Sequence, residues 1–178
     1  MNGPEYTVKE MLARLVAFDT TSAKSNLPLI RFVEDYLTLH GIACHRVPSA
    51  DGEKSSLFAT IGPKEIGGVG LSAHSDVVPV TGQAWDTDPF RMVERDGKLY
   101  GRGTTDMKGF LAAVLVSVPE LVKRRLKVPV HVLVSYDEEV GCTGVRPMIA
   151  ELGQRLQMPR MVIVGEPTSM TVVDAHKG

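Results

Sequence analysis

The stretch VPVHVLVSYDEEVG, residues 128–141, runs from β-branched and apolar side chains directly into three consecutive carboxylates. Its first part predicts a buried strand, and Asp137, Glu138 and Glu139 follow at the carboxyl end of that strand. Like charges placed side by side repel each other, and the end of a buried strand is a poor place to desolvate them. A solvated acidic turn is one explanation of this pattern, and a functional site is the other.

Helical and strand patterns alternate on both sides of this stretch. The spacing of apolar side chains predicts helices in residues 7–18, 26–41, 106–125 and 144–152. Strands are predicted in residues 42–47, 55–62, 128–136 and 161–167, and residues 67–80 predict a strand that breaks into a loop near Pro79. A hairpin is predicted in residues 90–103, with its turn at Asp96 and Gly97. This alternation predicts a three-layer α/β domain.

The composition is that of an ordinary globular protein and argues against several classes of function. The chain has 178 residues, of which 43% are hydrophobic, enough for a core. A net charge of −1 gives no electrostatic reason to expect nucleic acid or an anionic membrane as a partner. We see no signal-peptide pattern, and no apolar run approaches the roughly 20 residues that span a bilayer. Cys44 and Cys142 form no disulfide framework, so we expect a cytoplasmic location.

Four segments share one design, in which an apolar strand or a glycine-rich loop delivers an acid or a histidine. They are LSAHSD (71–76), GRGTTDMKG (101–109), SYDEEVG (135–141) and VGEPT (164–168). Because the carboxyl ends of strands in an open α/β sheet meet at a crevice, we expect these segments to converge. Crowded carboxylates need a compensating cation, and one imidazole with several carboxylates suits zinc or manganese.

His74 and Asp76 are two residues apart in an extended segment, so their side chains point the same way. Asp76 is therefore expected to accept the second N–H of His74, which orients the ring and raises its basicity as a metal ligand. The alternative is a strand-end histidine beside an aspartate in a turn. Asp106 has an alternative of its own, because an aspartate just before a helical run is commonly an N-cap.

Glu138 and Glu139 are adjacent, so their side chains point in opposite directions in an extended chain. One of them can bind a metal while the other contacts a bound water, and the spacing alone does not show which residue has which role. Glu166 precedes Pro167 and, taken by itself, is typical of an exposed turn acid. The other histidines are interpreted as structural from their helix-end, strand or terminal positions; they are His40, His45, His131 and His176.

These four segments resemble the zinc-dependent aminoacylase and exopeptidase family. Its patterns are H-x-D, a bridging aspartate in G-x-x-D-M-K-G, a D-E-E triplet and a later acid, here HSD, GRGTTDMKG, DEEVG and GEPT. The resemblance implies an incomplete three-layer α/β/α zinc-exopeptidase-like catalytic domain over residues 1–172. Residues 173–178 would then begin an inserted α+β lid domain, where the extended segment MTVVDAHKG stops without a capped helix.

The resemblance also implies a set of metal ligands. The complete subunit would hold two zinc ions, for which Co²⁺ could substitute. His74 and Glu166 would bind one zinc ion, Asp106 would bridge the two, and Glu139 would bind the second. The family supplies a further histidine ligand from a later part of its catalytic domain, and nothing in this chain corresponds to it.

Catalytic roles follow from the same resemblance. Glu138 would be the general base that takes a proton from a zinc-activated water, and Asp76 would orient His74. Flanking phrases such as FDTTSAKSNLPLI and DVVPVTGQAWDTDPF imply hydrolysis of N2-acetyl-L-ornithine to L-ornithine and acetate, in arginine biosynthesis. The alternatives are a desuccinylase, another deacylase or a peptidase of this family, and a non-catalytic domain that kept the fold. The full-length protein is expected to dimerise through the lid domain, and the isolated chain to be inactive.

Overall fold

A computed structural model describes residues 3–171, which form a five-stranded sheet, a two-stranded hairpin and four helices. The helices are α1 (Val8–Val16), α2 (Leu27–Leu39), α3 (Lys108–Lys123) and α4 (Val145–Glu151). The strands are β1 (Cys44–Pro48), β2 (Ser55–Ile61), β3 (Val69–His74), β4 (Val93–Arg95), β5 (Lys98–Tyr100), β6 (Val130–Ser135) and β7 (Met161–Val164). Each helix and strand predicted from the sequence is present, with ends that differ by a few residues.

Residues 1–2 and 172–178 lie outside the described part of the chain. The expected domain boundary after residue 172, the start of a lid domain at 173–178 and the structural role of His176 therefore stay predictions. Within residues 3–171, no helix combines the length and apolar character needed to cross a membrane. Cys44 and Cys142 are both free thiols.

The five-stranded sheet has the order β1-β2-β6-β3-β7 and is parallel on one side only. β2 pairs antiparallel with both β1 and β6, whereas β3 lies parallel to both β6 and β7. The register sets His74 opposite Ser135 and Ser72 opposite Val164, so β3, β6 and β7 end at the same edge. The three strands that were predicted to deliver acids therefore open onto one side of the molecule.

Helices cover both faces of the sheet. α1, α2 and α3 pack against one face, in a core that includes Leu57 and Ala59 of β2. Phe58, which lies between them in the sequence, packs with Leu133 and with Met148 of α4 on the other face. Successive residues of β2 thus point into different layers, and the predicted three-layer α/β/α arrangement is confirmed.

α1 begins at a capping box that fixes its first turn. The Thr7 hydroxyl accepts the main-chain N–H of Glu10 at 3.2 Å, and the Glu10 carboxylate accepts the main-chain N–H of Thr7 at 2.8 Å. These bonds satisfy N–H groups that have no partner within the helix. The apolar side of α1, including Met11 and Leu15, is then buried against α3.

β7 differs from the buried strand that the α/β pattern predicted. Its four residues, Met161–Val164, are all apolar, yet each is 45–58% exposed. β7 lies at the edge of the sheet, and none of its residues packs into either of the two hydrophobic clusters of the described chain. Among residues 3–171, no strand pairs with its outer edge.

Candidate metal centre

His74 ends β3 with its imidazole almost fully buried and both ring nitrogens in contact with acidic residues. Nδ1 lies 2.9 Å from the main-chain oxygen of Asp76, an acceptor that holds a proton on this nitrogen. Nε2 lies 2.9 Å from Oδ1 of Asp106. In the neutral ring, Nε2 is the nitrogen with a free lone pair, which is the form that a metal ligand requires.

Asp106 reaches His74 from the loop just before α3, but it is not the cap of that helix. Met107 occupies the N-cap position, and no side-chain hydrogen bond caps the helix. The peptide bond between Asp106 and Met107 is cis. The Asp106 carboxylate is 49% exposed and contacts the imidazole with its Oδ1 atom. The N-cap alternative is therefore wrong, because this carboxylate is directed across the edge of the sheet.

The remaining acids complete a cluster around His74. Glu138 Oε2 and Glu166 Oε1 lie 3.8 Å and 3.7 Å from His74 Nε2. Two groups of three residues could each hold a metal ion, because the ligand atoms within each group lie within 4.8 Å of one another. The first group is His74, Asp106 and Glu139, and the second is His74, Glu138 and Glu166. The structure thus brings together every residue that was expected to bind metal, along with the expected base, from four separate segments.

Asp76 supports more of the site than the predicted contact with His74. Its Oδ1 atom is 3.5 Å from His74 Nδ1, so the main-chain oxygen of Asp76 is the nearer acceptor. The buried carboxylate accepts the main-chain N–H groups of Glu138 at 3.1 Å and Glu139 at 3.3 Å. It also accepts the hydroxyl of Ser22 at 2.7 Å. Asp76 therefore joins the histidine to the turn that carries the acid triplet.

Crowding shows in the proton affinities of the metal-free cluster. Burial raises the pKa of Glu139, and the Asp106 carboxylate raises it further. Burial also raises the pKa of Glu166, although the nearby imidazole opposes this shift. Burial acts to lower the pKa of His74, but the carboxylates around the ring, led by Asp76, raise it to about 9. The carboxylates are crowded and partly shielded from water, so their negative charges repel each other, and a bound cation would offset this repulsion.

The donor set fits a divalent metal ion. Zinc and manganese both accept imidazole nitrogen and carboxylate oxygen as ligands. The cluster opens into a cavity of about 650 Å³ whose walls combine the acids with apolar side chains, among them His74, Asp106, Glu138, Glu166, Met107 and Val145. This volume lies within the range of small-molecule sites in proteins.

Two glycines are required near the site because the chain passes too close to other atoms for a Cβ. A Cβ on Gly165, which precedes Glu166, would lie 2.0 Å from the ring of Phe110. A Cβ on Gly144, at the end of the acidic turn, would lie 2.1 Å from the main-chain oxygen of Tyr136. Side chains at these positions would displace the segments that deliver the acids.

Lys108 is a buried lysine beside the site that was not predicted from the sequence. It is fully buried, and its Nζ donates to the main-chain oxygen of Phe18 at 2.7 Å. Burial lowers its pKa to about 7, against the opposing effect of Asp19 and Asp76. A signal was available, because Lys108 is a single cation at the start of the apolar run GFLAAVLVSV.

Ser22 and Lys54 were also missed. Ser22 bonds to Asp76, and Lys54 forms an ion pair with Asp137, the acid that had no predicted role. Each lies in a loop distant in sequence from its partner, and nothing in its local sequence indicates the contact.

The other described histidines lie away from the cluster. Fully buried His131 places Nδ1 3.0 Å from Oγ1 of Thr60. His45 Nε2 lies 2.9 Å from Oε2 of Glu151, and His40 packs against a tyrosine ring of α2. These contacts agree with the structural roles expected for them.

The fold and the cluster together define a class of protein. An α/β domain whose parallel strands deliver an imidazole and several carboxylates to one edge is typical of a metal-dependent hydrolase. Residues 70–176 match the peptidase family M20/M25/M40, which is more than half of the chain. The chain belongs to this family, and the resemblance seen in its motifs is confirmed.

Curated relatives include several acetylornithine deacetylases. The protein of that name from Pasteurella multocida (strain Pm70) is 39% identical over 176 residues, which are 95% of this chain and 45% of the relative. The one from Myxococcus xanthus is 41% identical over 177 residues, which are 96% of this chain and 44% of the relative. This chain therefore spans less than half the length of these relatives.

Solved structures show the same fold. Human carnosine dipeptidase 1 has a TM-score of 0.76 and 25% identity, over 88% of this chain and 38% of that protein. The M20 family metallo-carboxypeptidase Sso-CP2 from Sulfolobus solfataricus has a TM-score of 0.76 and 23% identity, over 90% of this chain and 37% of that protein. Membership of the family implies a divalent metal, and the cluster around His74 contains the side chains to bind one.

Proposed function

We propose that the full-length protein is a metal-dependent deacylase that converts N2-acetyl-L-ornithine into L-ornithine and acetate, as a step of arginine biosynthesis. The observation that carries the proposal is the pair of overlapping ligand sets that share His74. The choice of substrate is supported by 37–41% identity to acetylornithine deacetylases over at least 91% of this chain.

The proposed cofactor is a pair of zinc ions, for which Co²⁺ could substitute. His74 and Glu166 would hold one ion, Glu139 the other, and Asp106 would bridge them. A bound divalent ion supplies Lewis-acid chemistry, because it lowers the pKa of water and polarises a carbonyl oxygen. Geometry alone also groups Glu138 with Glu166, so the choice of Glu139 as the ligand rests on the family resemblance.

Glu138 is the proposed general base. Its carboxylate lines the cavity and is 38% exposed, so water and a substrate amide can both reach it. In this role it takes a proton from water and returns it to the departing amine. Asp76 contributes by holding the main-chain N–H of Glu138, and its main-chain oxygen keeps the Nδ1 proton of His74 in place.

A second candidate uses the same residues on another N-acyl amino acid, such as a succinylated one, or on a small peptide. The structural similarity to human carnosine dipeptidase 1 supports a peptide as the alternative substrate. We also propose that residues 1–172 belong to the catalytic domain, that residues 173–178 begin a lid domain, and that the lid forms a homodimer. Two free thiols and a net charge of −1 support a cytoplasmic protein without nucleic-acid or membrane partners.

A deacylation panel on the zinc-loaded full-length protein tests the proposal. The panel contains N2-acetyl-L-ornithine, a succinylated diamino acid, an N-acetylated apolar amino acid and a dipeptide, with metal content measured on the same sample. We expect the highest kcat/KM for N2-acetyl-L-ornithine and about two zinc ions per chain. A higher kcat/KM for another member of the panel would reject N2-acetyl-L-ornithine as the substrate but would still support metal-dependent deacylation. Absence of all hydrolysis in the metal-loaded protein would favour the non-catalytic alternative.

A further inference from the structure

Asp137, the first acid of the triplet, is bound by Lys54 rather than by the cluster. Lys54 Nζ lies 2.5 Å from Asp137 Oδ1, and the two side chains are only 17% and 16% exposed. Neither residue belongs to the two ligand sets. Because water and salt have little access to this ion pair, it is screened less than a pair on the open surface.

Lys54 has a rigid support of its own. It immediately precedes β2, and β2 is paired with β6, the strand that leads into the acid triplet. The main-chain N–H of Lys54 donates to Oγ of Ser49 at 2.9 Å, and its main-chain oxygen accepts the N–H of Ser49 at 2.9 Å. The ammonium group is therefore carried by an ordered turn of the sheet.

Lys54 also contacts the segment that supports Asp76. Its Nζ donates a second hydrogen bond to the main-chain oxygen of Ser22, whose hydroxyl donates to Asp76 at 2.7 Å. Asp76 in turn accepts the main-chain N–H groups of the two glutamates that follow Asp137. The acidic turn is thus attached at two points, through the carboxylate of Asp137 and through these two N–H groups.

The backbone at Asp137 explains why the first attachment matters. Its φ angle is 54°, in the left-handed region that a non-glycine residue adopts only at some cost. Its main-chain oxygen accepts the N–H of Thr143 at 3.2 Å, so the chain turns back on itself from this residue. The directions of Glu138 and Glu139 depend on the conformation held here.

We propose that Lys54 and Asp137 form a positioning pair that sets Glu138 and Glu139 for metal binding and proton transfer. The inference deepens the proposed function and rests on its metal centre. Both residues act through the backbone of the turn. Without the pair, the turn keeps its bonds to Asp76 but loses the contact that fixes residue 137, and the two glutamates no longer hold one geometry.

Titration of the full-length protein with Co²⁺ tests this inference, because its visible absorption reports ligand geometry without requiring turnover. Lys54→Met removes the ammonium group and keeps an apolar stem. Asp137→Asn removes the charge and keeps a residue type that tolerates a left-handed φ angle. We expect each variant to bind Co²⁺ about tenfold more weakly, with an altered spectrum, as changes just outside a ligand shell do. The double variant should bind no more weakly than Lys54→Met, since that variant has already removed the cation that binds Asp137.

Two further variants control for charge and for general stability. Lys54→Arg keeps a cation that can bind the carboxylate, and it should retain most of the Co²⁺ affinity. Lys123→Met makes the same change in the exposed pair between Lys123 and Glu5, which are 2.9 Å apart, and it should leave Co²⁺ binding unchanged.

A pair with a purely structural role would give a different result. Folded Lys54→Met and Asp137→Asn would then unfold at lower urea concentration but bind Co²⁺ with the affinity and spectrum of the unaltered protein, which overturns the inference. If Lys54→Met does not fold, Asp137→Asn alone decides. Failure of the unaltered protein to bind Co²⁺ would instead reject the metal centre, and the proposed function with it.

Discussion

The Nε2 atom of His74 lies 2.9 Å from Oδ1 of Asp106, although the two residues are 32 positions apart in the chain. The end of β3 supplies the first atom, and the loop before α3 supplies the second. The hydrogen bond engages the nitrogen that a metal would use, so a metal bound by His74 would replace this contact. This relationship distinguishes Asp106 from an ordinary helix cap and makes its role testable.

Replacing Asp106 should affect metal binding and leave folding almost unchanged. In Asp106→Asn we expect metal affinity to fall by more than the roughly 10- to 100-fold that outer-shell changes cause. The free energy of unfolding of the metal-free chain should not fall by the roughly 1 kcal/mol that loss of a helix cap causes, because Asp106 caps no helix and the loss of its bond to His74 is offset by weaker repulsion of Glu139 and Glu166. Calorimetric zinc titration and urea unfolding measure the two effects.

Thr7→Ala is the matched control, because Thr7 does cap its helix. It should lower the free energy of unfolding by about 1 kcal/mol and leave metal affinity unchanged. A large stability loss in Asp106→Asn, with metal affinity intact, would restore the cap as its role.

Glu138→Gln should abolish turnover in the full-length protein while preserving metal content. The amide has nearly the shape of the carboxylate but cannot accept a proton near neutral pH, so only proton transfer is removed. Metal analysis and kcat measured on one preparation give the comparison. Near-normal turnover would reject Glu138 as the base, and loss of one metal ion would show that it is a ligand instead.

Metal affinity should rise with pH because His74 must lose a proton to bind. Its pKa of about 9 in the metal-free cluster predicts about a tenfold gain in apparent affinity per pH unit between roughly pH 6 and 8. The contribution of His74 to the stability of the metal-free fold changes with pH in the opposite direction. With a pKa raised above its ordinary value, His74 stabilises the metal-free fold fully below about pH 6.5, and this stabilisation is lost as the pH rises through about 9.

Zinc titrations at several pH values, in buffers of different ionisation enthalpy, would count the protons released. His45→Gln, which alters a histidine bound to Glu151, should keep the same pH dependence. Affinity that does not vary with pH in the unaltered protein would contradict the raised pKa of His74.

Gly165→Ala should weaken metal binding by displacing Glu166, because the added methyl would meet the Phe110 ring. The obstacle is a side chain, so the double variant Gly165→Ala/Phe110→Ala should recover part of the zinc affinity. At Gly144 the obstacle is the main-chain oxygen of Tyr136, and no side-chain change can remove it. Zinc titration of the single and double variants measures the recovery. Unchanged affinity in Gly165→Ala would show that this segment can shift without cost.

The fold was predictable because its signals are local. Apolar spacing and turn residues indicated each helix and strand, and four acid-bearing segments at strand ends indicated one crevice. The surroundings of β7 were not predictable, since an apolar run reads the same in a central strand and in an edge strand. The sequence also could not exclude Asp106 as a helix N-cap, because a local pattern does not show in which direction a carboxylate points.

The supports of the site were less accessible to sequence reasoning. Lys54 and Asp137 are 83 positions apart, and Ser22 and Asp76 are 54 apart, so only the folded chain brings these pairs together. The expected contact of Asp76 with His74 followed from their spacing. Its bonds to the N–H groups of the acid triplet did not, because they depend on the left-handed turn at Asp137.

The exposed edge strand β7 has a consequence for local opening. Among residues 3–171, β1 and β7 are the two edge strands of the main sheet, and Glu166 follows β7 by two residues. β7 is the shorter and more exposed of the two, so its amide hydrogens should exchange fastest with solvent, and its opening would detach Glu166 while β3 and β6 stay folded. Metal binding by Glu166 would then be coupled to the pairing of β7 with β3, and bound metal should slow hydrogen exchange in residues 161–164.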